Sequence, residues 1–296
     1  MTVAVLGATG VVGTALVSVL AESEEVVAVS RRPDGSPGEG VRTVAADVRD
    51  ATSIRRSLEG VEVVYYLVHS LGTPNYATVD RRAAETVARE AERAGVSQLV
   101  YLGGLGDDRP DLSPHLRSRL ETGVALSSGA VPVTTLRAAV VIGRGSAAFE
   151  TIVSLVDRLP AMIAPRWVAT PTQPIALTDV VRYLAGVARL PAALGQDFDV
   201  GGPDVLTYRE MIERIAQVRG RRRLIVEVPV LSPRLSSYWL HLVTPVRAAV
   251  ARPLIEGLRT PTVVQDDRLR RLLPFALTPF DDAARIALAK GTCGAV

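Results

Sequence analysis

Three glycines, Gly7, Gly10 and Gly13, follow directly on the apolar run Val3-Ala4-Val5-Leu6 and open a stretch with helical apolar spacing at Val12, Leu16, Val19 and Leu20. The chemistry this spacing serves is capture of a dinucleotide's pyrophosphate. Glycine lacks the Cβ that would hold phosphate oxygens away from the main chain, and it permits turn conformations closed to other residues. The helix that begins there offers unpaired N–H groups and the positive end of its dipole. Thr9, Val11 and Val12 are therefore expected to share the contact with Gly7, Gly10 and Gly13. A bare strand-to-helix turn is the alternative for the same residues.

The second apolar run, Val26 to Ser30, ends where an NAD-selective site carries an acid for the ribose 2′-hydroxyl. This chain has Ser30-Arg31-Arg32 instead. Two planar guanidinium forks and a hydroxyl suit a 2′-phosphate, so NADP(H) is expected in preference to NAD. The competing reading is that the arginines only solubilise the loop toward Pro33-Asp34-Gly35. After the third strand, Asp47-Val48 either offers a carboxylate to the adenine amino group or serves a local turn. Leu67 and Val68 close the fourth strand and are expected to line the cofactor with their backbone. His69 beside them reads first as a hydrogen-bonded structural histidine, with catalysis as the alternative.

Such residues act together only if a scaffold gathers the strand ends that carry them. Further strands are predicted at Val41 to Ala45, Val63 to Val68, Leu99 to Leu102, Val133 to Leu136 and Asp197 to Val200. Helices are predicted at Ala51 to Leu58, Tyr76 to Ala94 and Pro114 to Ser127. Near-continuous apolar strands separated by amphipathic helices indicate an α/β fold, a doubly wound parallel sheet covered on both faces. The rhythm is lost from Phe149 to Thr172 and after Pro203. The expected division is a Rossmann core over 1–202, with 146–174 contributing to the cleft cover, and a smaller C-terminal lobe over 203–296 that covers the substrate.

Composition sets the outer bounds. The chain has 296 residues, 48% of them hydrophobic, which suffices for a sizeable core. A net charge of +3 is small for this length, and no nucleic-acid partner is expected. The basic cluster at Arg219, Arg221, Arg222 and Arg223 has no interleaved aromatic residue and reads as a solvated turn. With one cysteine, Cys293, no internal disulfide is expected. No metal-ligating cluster stands out. Prolines and charges interrupt every apolar run before membrane-spanning length, and the first strand begins too near Met1 to leave room for a signal peptide. A cytoplasmic location is the expectation.

GATGVVG at 7–13, Ser30-Arg31-Arg32, Asp47-Val48 and Leu136-Arg137 before Val140-Val141-Ile142-Gly143 together resemble the atypical short-chain dehydrogenase/reductase superfamily. Tyr101-Leu-Gly-Gly-Leu-Gly106, Ser113-Pro-His-Leu-Arg-Ser-Arg119, Gln173-Pro-Ile and Leu235-Ser-Ser-Tyr-Trp239 resemble its NmrA-related and YbjT-like NAD(P)H-binding members. Typical members of the superfamily use a serine beyond the fifth strand and a Tyr-x-x-x-Lys on the next helix. In the corresponding stretches this chain has Gly103-Gly104 and the segment His115-Leu-Arg-Ser-Arg119. The i, i+4 spacing survives, so His115 and Arg119 share one helix face. His115 is the candidate proton donor to a developing alkoxide or enolate, and the alternative is a plain first-turn residue after the Ser113 cap and Pro114. Arg119 cannot relay protons, and is expected to bind the nicotinamide ribose or offset negative charge.

Candidate substrate contacts are Gly103, Gly104, Trp167 and Tyr238. The last stands with Trp239 and His241 in a chain only 4% aromatic, where a local gathering of rings suits an apolar pocket wall. Those rings alternatively hold the covering lobe to the sheet, the reading favoured for Trp239. Asp179 reads as part of a helix start. The expected activity is NADPH-dependent reduction of a small, largely apolar carbonyl or enone compound. A non-catalytic NADP(H) sensor and a cofactor-assisted epimerase or isomerase are the alternatives, and the oligomeric state is left open.

Overall fold

The computed structural model describes residues 1–33, 38–106, 112–228 and 257–289. Strands and helices alternate through the first half: β1 (Thr2–Leu6), α1 (Val11–Leu20), β2 (Glu25–Ser30), β3 (Val41–Ala45), α2 (Ala51–Ser57), β4 (Val63–Tyr66), α3 (Tyr76–Ala94), β5 (Gln98–Gly104), α4 (Pro114–Leu126) and β6 (Val133–Ala138). Shorter pieces follow: β7 (Val141–Ile142), α5 (Ala147–Arg158), β8 (Ala161–Pro165), β9 (Pro171–Thr172), β10 (Ile175–Ala176), α6 (Leu177–Val187) and β11 (Asp197–Val200). The chain then forms β12 (Leu206–Thr207), α7 (Tyr208–Val218), β13 (Leu224–Val228), α8 (Arg268–Leu272) and α9 (Phe280–Leu288).

Seven strands make the central sheet in the order β11-β6-β5-β4-β1-β2-β3, with every neighbouring pair parallel. The strand order reverses between β1 and β4, so the crevice for a ligand opens at their carboxyl ends. Side-chain alternation explains the continuous apolar runs. Val3 and Val5 pack with Leu16 of α1 and Val180 and Leu184 of α6. Ala4 and Leu6 pack on the other face with Ile54, Val87 and Leu126. Both faces of β1 are thus withdrawn from water, and each large aliphatic side chain so buried contributes about 1.5–3 kcal/mol.

Helix boundaries follow local chemistry. Asp50 caps α2 by accepting from the Thr52 amide at 3.0 Å. Gly95 ends α3 in the left-handed region at φ +73°. Ser113 caps α4, accepting from the Leu116 amide at 3.2 Å, with Pro114 in the first turn as predicted.

A second apolar core lies over the cleft side of the sheet. Phe149 and Ile152 of α5, Met211 and Ile215 of α7, and Phe280 and Ala284 of α9 meet there, while β8 and β13 pair in parallel beside them. Buried carboxylates tie the late chain down. Asp199 binds Arg137 at 2.7 Å and accepts from the Gln265 amide at 3.0 Å. Asp179, fully buried in the first turn of α6, accepts from both the amide and the hydroxyl of Thr278, at 2.7 and 2.9 Å.

Three expectations change here. β4 ends at Tyr66, not Val68: Leu67 makes one more bond to Leu6, and the chain then leaves the sheet toward Ser70, whose amide donates to Asp80. The stretch from Phe149 to Thr172 is ordered as α5 and β8. The arginines at 219–223 are more than a solvated turn, because Arg219 and Arg221 both pair with Asp157 at 3.2 Å and Arg223 donates to the Val156 carbonyl at 2.6 Å. They close the C-terminal end of α5, where cations are favoured.

Candidate active site

The glycine turn has the geometry its spacing predicts. Gly7 takes φ +93°, and a Cβ there would press on the Leu67 carbonyl at 3.2 Å and on Val68 Cγ2 at 3.3 Å. Leu67 and Val68 therefore stand against the turn, and Leu67 also lines the cleft. At Gly13 a Cβ would run into the Gly7 carbonyl, 2.9 Å from its carbon, so α1 crosses the end of β1 at a distance open only to glycine. The Gly7 and Ala8 amides donate to Val29, and Gly10 donates to Gly7 at 3.0 Å. No side chain caps α1. Among the described residues the amides of Val11, Val12 and Gly13 have no acceptor, and all three residues line the cleft. Thr9 is exposed at the tip of the turn. An anion fits this cradle on main-chain geometry alone.

From the turn a cavity of about 400 Å³ runs to the ends of β5 and β6, with Leu71, Leu102, Leu116 and Val140 among its apolar walls. Gly103, Gly104, His115 and Arg119 line its far end, so the structure brings together the two candidate catalytic residues and two of the four substrate candidates. The glycines have a packing reason. A Cβ on Gly104 would lie 2.9 Å from Leu116 Cδ2, and one on Gly103 would lie 3.2 Å from the Tyr101 ring. Their absence lets α4 settle against the strand end and carries His115 and Arg119 to the cleft.

Arg119 is held from three sides. Its guanidinium lies 4.9 Å over the Tyr101 ring, Nη2 donates to the Leu102 carbonyl, and the Tyr101 hydroxyl donates to the Arg119 carbonyl at 2.8 Å. Nη1 is buried without any partner, and no carboxylate among the described residues forms an ion pair with this cation. His69 joins the group, lining the same cavity, which revises the first reading of it as hydrogen-bonded: neither His69 nor His115 has a hydrogen-bond partner among the described residues. Although His69 keeps an exposed edge, the protein packed around its ring, then the Arg119 charge, pushes the imidazole down to about 4. The same two causes, with His69 as a third, push His115 down to about 3. Both rings are therefore neutral at physiological pH. His115 is not an imidazolium acid here; a neutral ring still offers one N–H donor.

Beside the turn, at the carboxyl end of β2, Ser30 is buried with its hydroxyl unpartnered, while Arg31 and Arg32 are exposed and make no ion pair among the described residues. An orphaned hydroxyl beside two free guanidinium groups fits a bound 2′-phosphate. Asp47 has both carboxylate oxygens on Arg49, at 2.5 to 3.1 Å, which holds it below the usual carboxylate range. Its local-turn reading is the one this geometry displays, and the neighbouring Val48 packs against the core. The backbone of Trp167 lies in a one-turn 3₁₀ helix, Arg166–Ala169. Tyr238, Trp239 and His241 lie outside the described residues.

Sequence reasoning missed Tyr208 and Thr262, which line the cavity from the lobe side. For Tyr208 a signal existed: Thr207 and Glu210 form a capping box that marks this helix start. For Thr262 nothing local pointed to the cleft.

Comparison with known proteins agrees with the turn chemistry. Residues 7–128 match a protein family described as NAD(P)H-binding. A (4-alkanoyl-5-oxo-2,5-dihydrofuran-3-yl)methyl phosphate reductase from Streptomyces griseus is 28% identical over 240 residues, 78% of each chain. An uncharacterised Mycobacterium tuberculosis protein is also 28% identical across 80% of this chain, which spans only 25% of that longer protein. Among solved structures, Citrobacter sp. triphenylmethane reductase complexed with NADP(H) superposes with a TM-score of 0.76 at 19% identity, covering 97% of this chain and all of the other. A nucleoside-diphosphate-sugar epimerase from Staphylococcus aureus gives 0.77 at 15% identity, covering 96% of this chain and all of the other. These last two likenesses establish a shared fold. Among the described residues no helix is long and apolar enough to cross a membrane.

Proposed function

We propose that this chain, whose residues 7–128 match an NAD(P)H-binding family, is an NADPH-dependent reductase of a small, largely apolar conjugated carbonyl compound. The observation that carries the reading is Arg119. It is a cation in no direct ion pair among the described residues, with a buried, unpartnered N–H, and it lines the same cavity as two neutral imidazoles and the glycine turn. A buried N–H left without a partner is costly, and the cost is offset when an oxyanion forms beside it.

When bound, the dihydronicotinamide supplies a hydride. Val11, Val12 and Gly13 hold the pyrophosphate by their amides, and Ser30, Arg31 and Arg32 hold the 2′-phosphate, which is the basis for preferring NADPH. As the acceptor's oxygen gains negative charge, Arg119 Nη1 and the N–H of neutral His115 stabilise it. Leu71, Leu105 and Leu116 keep water away from the reacting carbon and make these donors more effective. The Streptomyces griseus relative supports a conjugated acceptor, since the compound in its name is an α,β-unsaturated lactone bearing an alkanoyl group, though that compound also carries a phosphate ester.

The test is calorimetric binding of NADPH, followed by loss of NADPH absorbance with cyclic enones and quinones. Tight NADPH binding and enone-dependent oxidation are expected, with Arg119→Met impairing oxidation only. Binding without oxidation by any acceptor would sink the reductase reading and leave a cofactor-binding protein.

A further inference from the structure

The lobe side of the cleft carries three hydroxyl groups that the chemistry above does not use. Tyr208 is fixed at the start of α7 by the capping box before it, and its ring joins the second apolar core while also lining the cavity. The phenol lies beside the side chains of Thr172 and Thr262, which draw its proton affinity down. Those two threonine Oγ1 atoms lie 2.7 Å apart, and either can donate. Thr262 lines the cavity too.

Main-chain bonds fix the triad in place. The Thr262 amide donates to Pro171 at 3.1 Å and the Gln173 amide donates to Thr262 at 2.8 Å. β9 and β12 pair Thr172 with Leu206, two residues before Tyr208. The 257–262 segment meets the helix that carries His115: a Cβ added at Gly257 would lie 3.5 Å from Ser113 Oγ, and one at Gly106 would lie 3.9 Å from Thr260 Cγ2. Three neighbouring hydroxyls, two of them bonded to each other, are a demanding way to fill a core that phenylalanine and valine would fill without polar atoms. What the hydroxyls add is a connected set of rotatable O–H donors at a cavity wall.

We infer that Tyr208 is the proton donor of the reduction proposed above, on which this inference rests, and that Thr172 and Thr262 reprotonate it. Hydride addition to the acceptor carbon leaves an electron pair on the acceptor oxygen. The phenol O–H bond then breaks, its proton joins that oxygen, and the electron pair stays on the phenolate. Thr172 passes its hydroxyl proton to the phenolate and takes one from Thr262, which is replenished by water. One hydride and one proton are consumed per acceptor. Burial pushes the Tyr208 phenol up to about 12 against the opposing pull of the two threonine side chains, so the donor stays protonated at neutral pH. This supplies the acid that two neutral histidines do not.

The experiment uses the full-length chain with NADP⁺ and para-nitrophenolate as an oxyanion probe, read by its absorbance shift. Tyr208→Phe is expected to weaken nitrophenolate binding about tenfold or more while leaving NADP⁺ affinity unchanged. With cyclohexenone and NADPH, the same variant is expected to lose about a hundredfold or more in kcat at an unaltered KM. If Tyr208→Phe does not fold, the Thr172→Val/Thr262→Val pair carries the test, with a smaller loss and an altered solvent isotope effect. Equal nitrophenolate affinity in the wild type and the variants overturns the inference. A wild type that binds nitrophenolate through Tyr208 yet oxidises no NADPH overturns the reductase reading and leaves the oxyanion contact standing.

Discussion

Arg119 and Tyr101 clasp each other: the guanidinium stacks 4.9 Å above the ring, and the ring's hydroxyl bonds back to the Arg119 carbonyl at 2.8 Å. The contact attracts the cation to the ring face without neutralising it. A permanent positive charge is thereby fixed at the reacting end of the cleft.

Removing that charge has two separable effects. Arg119→Met is expected to lower kcat by about a hundredfold or more, the range seen when an oxyanion donor is lost. It is also expected to raise the titration midpoints of His69 and His115, because the Arg119 charge helps depress both. Imidazole proton shifts followed by NMR across pH check the second effect without any substrate. Unmoved midpoints would count against the electrostatic coupling.

Gly13→Ala drives a methyl group into the Gly7 carbonyl. Relief requires the first turn of α1 to move off the strand end, at about 1–3 kcal/mol in stability. NADPH binding is expected to fall much further than thermal stability, since the displaced amides are those proposed to hold the pyrophosphate. Calorimetry beside a melting curve distinguishes this from general unfolding.

Arg31→Ala with Arg32→Ala is expected to weaken NADPH binding by about tenfold or more and leave NADH nearly untouched, as lost charge-assisted bonds to a phosphate would. The NADPH term is expected to shrink with added salt in the wild type and hardly at all in the double variant. Equal losses for both nucleotides would place the arginines elsewhere in recognition.

Acid stability follows from the two histidines. In the unfolded chain they bind protons as pH falls through about 6.5, whereas the folded protein resists until about 4 for His69 and about 3 for His115. Between these limits the unfolded state holds more protons, so stability drops as pH falls from 6.5 toward 4. His69→Gln with His115→Gln is expected to flatten that decline. Urea midpoints measured across the window test it, and identical slopes in wild type and variant would contradict it.

Much of the sheet was legible because β1, β2, β4 and β5 are buried on both faces and so read as unbroken apolar runs. The bounds of α3 and β11 agree with periodicity alone. β4 was drawn too long because Leu67 and Val68 are apolar for a different reason, their contact with the Gly7 turn. β7, β9, β10 and β12, two residues each, are too short to have a period. In the site, the glycines announced themselves through their spacing, and the i, i+4 pair through the helix repeat. The neutrality of the histidines was not readable, because it depends on how much protein surrounds each ring. Nor was the meeting of Tyr208 with Thr172 and Thr262, three residues from separate stretches of chain brought together by the folding of the lobe.

The second apolar core joins Phe149, Met211 and Phe280, while Leu269, between the last two in sequence, packs into the Rossmann layer. The chain thus stitches back and forth between its two halves. Anyone transplanting the lobe onto a relative to exchange substrate preference has to graft three pieces together, because no single cut through the chain separates the two cores.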